Sequence, residues 1–309
     1  MKAKIYAAFF GVCIGAIFSA NTHAGAVRQQ DGMDQDYVPT GKGWGAPDIQ
    51  KKGAKNAGRV KATNGINYHG GPVMLGTSNI YYIWYGNWSA NSAVDILGNL
   101  ALALGGSPYY NINTTYYDGA NRKVSNAVAA PASTTDNYSR GTALTDADVQ
   151  TIVANSIASG SLPKDANGVY VVLTSADVNE TSGFCTQYCG WHTRASILGV
   201  DTKFAFVGNA ERCPSACAAQ TANSPNGNVG ADAMASVIAH EVDEAVTDPD
   251  LNAWYDTRGQ ENADKCAWKF GTTYTTAIGA KANMKLGGKD YLIQQNWVNA
   301  GGGLCALSY

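Results

Sequence analysis

The chain has 309 residues, 45% of them hydrophobic and 15% charged, with a formal net charge of −2. That balance gives no basic field to draw nucleic acid or an anionic membrane surface, and neither is expected as a partner. The composition is that of an ordinary globular protein, long enough for one large domain or two small ones.

Lys2 and Lys4 precede an apolar run from Ile5 to about Ala20, and the small residues of "NTHAGAV" follow, with cleavage points after Ala24 or Ala26. This three-part order predicts a secretory signal peptide over residues 1–24. The run is short for a membrane anchor, and no basic cluster follows it. Cys13 lies in the run and is discarded with it. No later stretch is apolar enough to span a bilayer, so the mature form is expected outside the cell, or in the periplasm of a bacterial source.

Residues 25–64 are polar, rich in Gly, Lys and Gln, and lack a hydrophobic period. They read as a flexible or loosely attached leader, and the lysines of "QKKGAKNAGRVKA" as a solvated linker. A folded domain is expected over 65–309. "NIYYIWYG" (79–86) is β-branched and aromatic, hence a buried strand. "SANSAVDILGNLALALGG" ends on a glycine stop and predicts a helix packed on that strand. The aromatic and Thr-rich stretch 109–117 reads as further strand. Thr145 with Asp148 three residues on predicts an N-cap and a helix in "ALTDADVQTIVANSIASG". "GVYVVLTS" (168–175) and "TKFAFVG" (202–208) are core strands, and "YLIQQNWV" (291–298) is the last. Strands alternating with helices predict an α/β or α+β domain, a mixed sheet packed with helices.

Six cysteines remain after the signal: Cys185, Cys189, Cys213, Cys217, Cys266 and Cys305. An even count in an exported chain predicts three disulfides, with connectivity open. The two C-x3-C pairs would also suit a structural zinc site, which an oxidising compartment disfavours.

"GADAMASVIAHEVDEAVTDP" predicts a helix over about 231–247, ended by Pro249. At 100° per residue, Ala235, Ile238, Ala239, Val242, Ala245 and Val246 share one side. His240 and Glu244 fall opposite, one turn apart, and can reach one ion; Glu241 sits on the flank. This is the H-E-x-x-H zincin arrangement with Glu in place of the second His. In that reading zinc is the cofactor and Glu241 takes a proton from metal-bound water. A third ligand is required, and Asp248, Asp250 and Glu261 are the candidates. Asp250 occupies the metzincin offset and Glu261 a gluzincin-like one. Glu261 is preferred, because Pro249 and Gly259 let the chain turn back, and Asp264 then orients a ligand from behind.

Residues 241–264 hold eight acids against one base, Arg258, a repulsion that a cation would relieve. The bland alternative is a solvated acidic helix face. Calcium suits the acids but not His240, because it prefers oxygen. After the expected signal, His69 and His192 are the other histidines, each a further ligand, a transition-state donor or a structural hydrogen-bonder. Tyr255 is a candidate oxyanion donor, or else packs on Trp254. The catalytic candidates are thus Glu241, Tyr255 and His192.

Taken in order, "NYHGGPVMLGTSNIYYIWYGNW", "GVYVVLTSADVNETSGFCTQYCGWH", "KFAFVGNAERCPSAC", "MASVIAHEVDEAVTDPDLNAWYD" and "ENADKCAWKFG" resemble the Exordium-like (phosphate-induced) family of secreted proteins. The similarity runs from about residue 65 to the C-terminus. It implies secretion, one disulfide-bonded domain, and motif positions for His240, Glu241, Glu244, Glu261 and Asp264; it weakens Asp250 as a ligand. The family is known from the plant apoplast and cell wall, where it is linked to growth regulation. Two functions are therefore carried forward. One is a secreted zinc-dependent hydrolase acting on peptide or protein. The other is a non-enzymatic extracellular protein binding a cell-wall component, for which Trp84, Trp88, Tyr109 and Tyr110 are the candidate exposed aromatics.

Overall fold

The computed structural model describes residues 26–28, 37–39, 42 and 65–309. The expected signal peptide and most of the leader lie outside these residues. No helix among the described residues is long and apolar enough to cross a membrane.

Five strands form the central sheet: β1 (Ser78–Tyr85), β2 (Val128–Asp136), β3 (Gly168–Thr174), β4 (Gly190–Ile197) and β5 (Val200–Val207). Their spatial order is β2-β1-β3-β5-β4. The first four run parallel, and β4 joins antiparallel to β5. β1 and β3 are central and covered on both faces, which is why each reads as a continuous β-branched and aromatic run. β2 has no such run. It is an edge strand of Ala, Ser and Thr, and Pro131 falls where the register with β1 shifts between Asn79 and Tyr81. A residue without an N–H is tolerated there and not in a central strand. β4 and β5 are joined through Leu198 and Gly199, both at positive φ (49° and 77°), the conformation of a tight two-residue hairpin.

Three helices cover the sheet: α1 (Ala93–Leu104), α2 (Asp146–Ala158) and α3 (Val229–Thr247). α1 buries Ile96, Leu97, Leu100 and Leu104, a stripe of helical period. Together with α3 it closes over one sheet face, on Ile80, Tyr82, Val171 and Leu173. α2 covers the other, on Tyr81, Ile83, Tyr170 and Phe204. The expected cap of α2 is present as a reciprocal capping box between Thr145 and Asp148. The architecture is a mixed sheet between helical layers, as the alternation of elements predicts.

Two expected strands are corrected. Residues Tyr110–Thr115 form a 3-10 helix, opened by Ser107 Oγ accepting from the Tyr110 N–H. Its aromatics fill the core from a helical backbone, and composition alone does not separate that from a buried strand. The stretch 291–298 is broken into the ends of two short hairpins, Lys289–Tyr291 and Asn296–Val298. Between them the Gln294 N–H goes to Ser236 Oγ and the Gln295 N–H to the Lys269 carbonyl. Those bonds replace a strand ladder.

The six cysteines form three disulfides, Cys185–Cys213, Cys189–Cys217 and Cys266–Cys305. The structural-zinc alternative for the C-x3-C pairs is thereby overturned. The first two bridges run side by side and tie the loop entering β4 to the turn after β5; the third ties the C-terminal hairpin to the loop after α3. The aromatics expected at the surface are also corrected. Trp84, Trp88, Tyr109 and Tyr110 are buried: Trp84 in a central strand covered on both faces, the other three in the segments that pack into the same core.

Candidate metal centre

α3 begins where the Asn228 side chain accepts from the Ala231 N–H at 3.0 Å. It ends at Asp248, whose Oδ1 accepts from the N–H groups of Asn252 and Ala253, each at 2.6 Å. The helix is not amphipathic in the solvated sense. Its polar side is as buried as its apolar one, so the alternative of an acidic face in water is overturned. Covering that side are β4 and the loop after the helix.

The loop returns through a second carboxylate turn. Asp256 Oδ1 accepts from the N–H groups of Arg258 (2.7 Å) and Gln260 (3.0 Å), with Gly259 at φ 74°. This brings Glu261 and Asp264 back against the helix, as the positions of Pro249 and Gly259 suggest. The Asp264 N–H donates to Glu244 Oε1 at 3.0 Å.

β4 approaches the helix from the other flank, and Gly190 permits the contact. A Cβ there would lie 2.5 Å from Val237 Cγ1 and 2.9 Å from both Glu241 Oε1 and the Phe206 carbonyl oxygen. Two residues on, His192 points into the cluster. Its Nδ1 is 3.4 Å from Glu241 Oε2 and 3.5 Å from Glu244 Oε2, and its Nε2 is 3.5 Å from Glu261 Oε1. His240 Nε2 lies 3.0 Å from Glu244 Oε1 and 3.4 Å from Asp264 Oδ1. The Gln294 amide lies 2.5 Å from its other nitrogen, Nδ1.

Two groups of side chains bring their ligand atoms within 4.8 Å of one another: His192, Glu244 and Glu261, and His240, Glu241 and Glu244. Glu244 belongs to both. The structure therefore places four expected residues, His240, Glu241, Glu244 and Glu261, in one buried cluster, with Asp264 against His240. It adds His192 on a level with the candidate ligands. No alternation in "GWHTRASI" announces that inward histidine, and Leu198–Gly199 is not one of the dipeptides that signal a two-residue hairpin.

The alternates fall elsewhere. Asp250 turns to Arg194 Nε (3.3 Å) and Lys203 Nζ (3.8 Å) in a half-buried ion-pair network outside both groups. Asp248 is fully buried, and one of its oxygens is spent closing the turn after α3. Tyr255 stacks flat on His69, with ring centroids 3.6 Å apart at 2°, a contact that does not assign it to catalysis.

None of His192, His240, Glu241, Glu244, Glu261 and Asp264 is more than 6% exposed. Burial without a cation is costly for so many carboxyls. Burial pushes Glu261 well above the usual carboxylate range, and Glu244 and Asp248 push it further. Asp264 is raised to about 7, by burial and then by Glu244. Glu241 is raised chiefly by burial. Glu244 alone falls, to about 2: burial raises it, but His240 and His192 outweigh that. Burial lowers His192, yet Glu241 and Glu244 carry it up to about 9.

The donor set fits a metal ion. His192 Nδ1 and Nε2, His240 Nε2, Glu241 Oε2, Glu244 Oε2, Glu261 Oε1 and Asp264 Oδ1 are all buried without a hydrogen-bond partner. Separations of 3.4–3.5 Å are long for a charge-assisted hydrogen bond. His192 faces Glu241 and Glu244 through Nδ1 and Glu261 through Nε2, so it could offer one nitrogen to a given ion on either side.

A second buried polar group, absent from the sequence reading, holds the far flank of the helix. Asp243 accepts from Asn113 Nδ2 at 2.6 Å and from Asn296 Nδ2 at 2.9 Å, while Asn262 Nδ2 reaches its carbonyl at 3.4 Å. These amides come from three separate segments. They fix α3 against the C-terminal hairpins and so fix the rotation that aims His240 and Glu244.

A mixed α/β domain, stapled by three disulfides around a buried histidine–carboxylate cluster, is the class of protein these features define. The chain belongs to the family described as the phosphate-induced protein 1 conserved region, whose profile matches residues 66–294. It is 35% identical over 272 residues to Protein EXORDIUM-like 5 of Arabidopsis thaliana, covering 75% of each chain. It is 34% identical over 270 residues to Protein EXORDIUM-like 3 of the same plant, covering 75% of this chain and 80% of the relative. Protein EXORDIUM is 29% identical over 232 residues, 64% of this chain and 70% of the relative. No solved structure matches the chain. The family resemblance drawn from the ordered motifs is thus correct.

Proposed function

We propose that this chain is an extracellular protein of the Exordium type whose buried cluster holds a divalent metal, zinc before calcium, and uses it for hydrolysis of peptide or protein. The observation that carries the reading is the set of partnerless imidazole nitrogens and carboxylate oxygens converging on Glu244. Two imidazoles favour zinc over calcium, which prefers oxygen. Glu244 with His192 and Glu261, or with His240, would hold the ion. Zinc supplies a Lewis acid that brings the pKa of water to about 7. Glu241, raised by burial, is the proton acceptor, and Asp264 and Gln294 orient His240. A cavity of about 40 Å³ walled by Gly190, Val237, Trp268 and Phe270 reaches His240 and Glu241, with room for water there but not for a peptide. The three disulfides accord with an oxidising compartment.

The second reading is a non-enzymatic extracellular protein, with the cluster as a structural centre. Two observations favour it. The cluster is almost wholly closed to solvent, and the names of the Exordium relatives carry no activity.

The test is metal analysis by mass spectrometry on protein folded in an oxidising compartment, beside His192→Ala, His240→Ala and Glu244→Ala. About one zinc per chain, lost in the variants, supports the metal centre. A normally folded wild type that neither contains nor takes up zinc removes it. A zinc-loaded protein that cleaves nothing in a peptide library leaves the structural reading, and cleavage undiminished in Glu241→Gln overturns Glu241 as the proton acceptor.

A further inference from the structure

β4 is the outer strand of the sheet. β5 takes one of its sides; on the other, its partner among the described residues is Lys42, which bridges antiparallel to Trp191. An edge strand offers unpaired N–H and C=O groups to any extended segment. Here a residue of the leader has accepted the offer, one position from His192.

The Lys42 side chain lies in a built cation pocket. Its Nζ is 3.0 Å from Asp146 Oδ2 and donates to Ser182 Oγ at 2.8 Å. The Tyr188 ring centroid is 4.9 Å from the ammonium and that of Trp191 is 6.0 Å away. Ser182 Oγ also lies 2.6 Å from Asp146 Oδ1. Behind them sits Glu180, buried, with one oxygen taking the Tyr188 hydroxyl and the other buried without a hydrogen-bond partner. A single lysine–aspartate pair at a surface holds little. Here one carboxylate, a hydroxyl and two aromatic faces converge on a single ammonium at a partly exposed site, and each adds to the lone ion pair. Those groups come from α2, from the loop before β4 and from β4 itself, so the pocket exists only in the folded domain.

We propose that this pocket and the adjoining edge of β4 form a docking site for a lysine on an extended segment, and that the chain's own leader is its occupant through Lys42. Lys42 then pairs with the sheet edge at Trp191, beside the candidate metal centre, and while it is in place no other extended segment can pair there. The inference does not depend on a metal or on hydrolysis.

The experiment uses the full chain and hydrogen exchange at the β4 amides, with Lys42→Met, Lys42→Arg and Asp146→Asn. Exchange at 190–197 is expected to quicken by about tenfold in Lys42→Met and Asp146→Asn, and to stay slow in Lys42→Arg, which keeps the cation over the rings. A labelled peptide of residues 37–47 is expected to bind Lys42→Met, whose pocket has lost its lysine, and not wild type or Asp146→Asn. Unchanged exchange in all three variants, or equal peptide binding by wild type and Lys42→Met, overturns the proposal. Zinc content measured in parallel separates this outcome from failure of the metal reading, since none of these residues is a candidate ligand.

Discussion

His192, on the edge strand, and Glu261, in the loop after α3, meet with Nε2 3.5 Å from Oε1. Neither has a hydrogen bond at that atom. Two partnerless buried atoms facing each other mark a ligand pair more than a hydrogen-bonding pair. His192→Ala is therefore expected to lose zinc as completely as Glu244→Ala. Wild-type zinc content in folded His192→Ala would reduce His192 to a bystander.

Gln294 is expected to control how His240 presents itself. With its amide oxygen toward Nδ1, the ring offers a lone pair at Nε2; with the nitrogen there, Nε2 carries the proton toward Glu244. Gln294→Leu removes that choice without touching a candidate ligand. Zinc affinity should fall by about 10–100-fold with the fold intact. Competition against a chromophoric chelator measures it, and an unchanged affinity would dismiss the residue's orienting role.

Gly190 sets how closely β4 approaches α3. In Gly190→Ala the added methyl meets Val237, Glu241 and the Phe206 carbonyl at once. Helix and strand must separate, at a cost of about 1–3 kcal/mol. Urea unfolding should show that loss, and zinc affinity should drop with it because His192 rides on the same strand. Stability within experimental error of wild type would mean that the helix shifts freely.

The metal-free protein is expected to weaken as pH rises. Burial pushes Asp243, Asp248 and Asp264 up to about 7. Unfolded, they titrate near ~4, so between those values the folded state binds more protons and stability falls with rising pH. For His192, burial lowers the pKa but Glu241 and Glu244 carry it up to about 9. Its stabilisation is full below ~6.5 and is lost as pH rises toward that value. Both effects run the same way. Zinc needs its ligands deprotonated and works against them. With a chelator present, the Tm should be lower at about pH 8.5 than at about pH 5.5, and saturating zinc should shrink or reverse the difference. A flat chelated profile would show that the carboxyls ionise at ordinary pH.

Much of the fold is legible in the chain. β1, β3 and β5 read as strands because burial on both faces leaves nothing but apolar and aromatic residues. α2 reads from its capping box, and α3 from its period and from Pro249. β2 and β4 do not read, because edge strands are half-polar, and their identity lies in what they pair with. Tyr110–Thr115 misleads because a buried aromatic run looks alike in a strand and in a 3-10 helix.

The candidate site divides along the same line. His240, Glu241 and Glu244 are set by the helical repeat, which puts them on neighbouring positions of one element whatever surrounds it. Glu261 and Asp264 follow from local turn chemistry at Pro249 and Gly259. Those five, the exportable cysteine count and the ordered family motifs were decided by the sequence alone. The tertiary structure decided the rest. It buried the acidic face instead of wetting it, delivered His192 from a strand that only sheet pairing defines, sent Asp250 to Arg194 and Lys203, and set Gln294 against His240. Each is a contact between segments far apart in the chain. Such contacts depend on how the layers pack, and local periodicity carries no information about that.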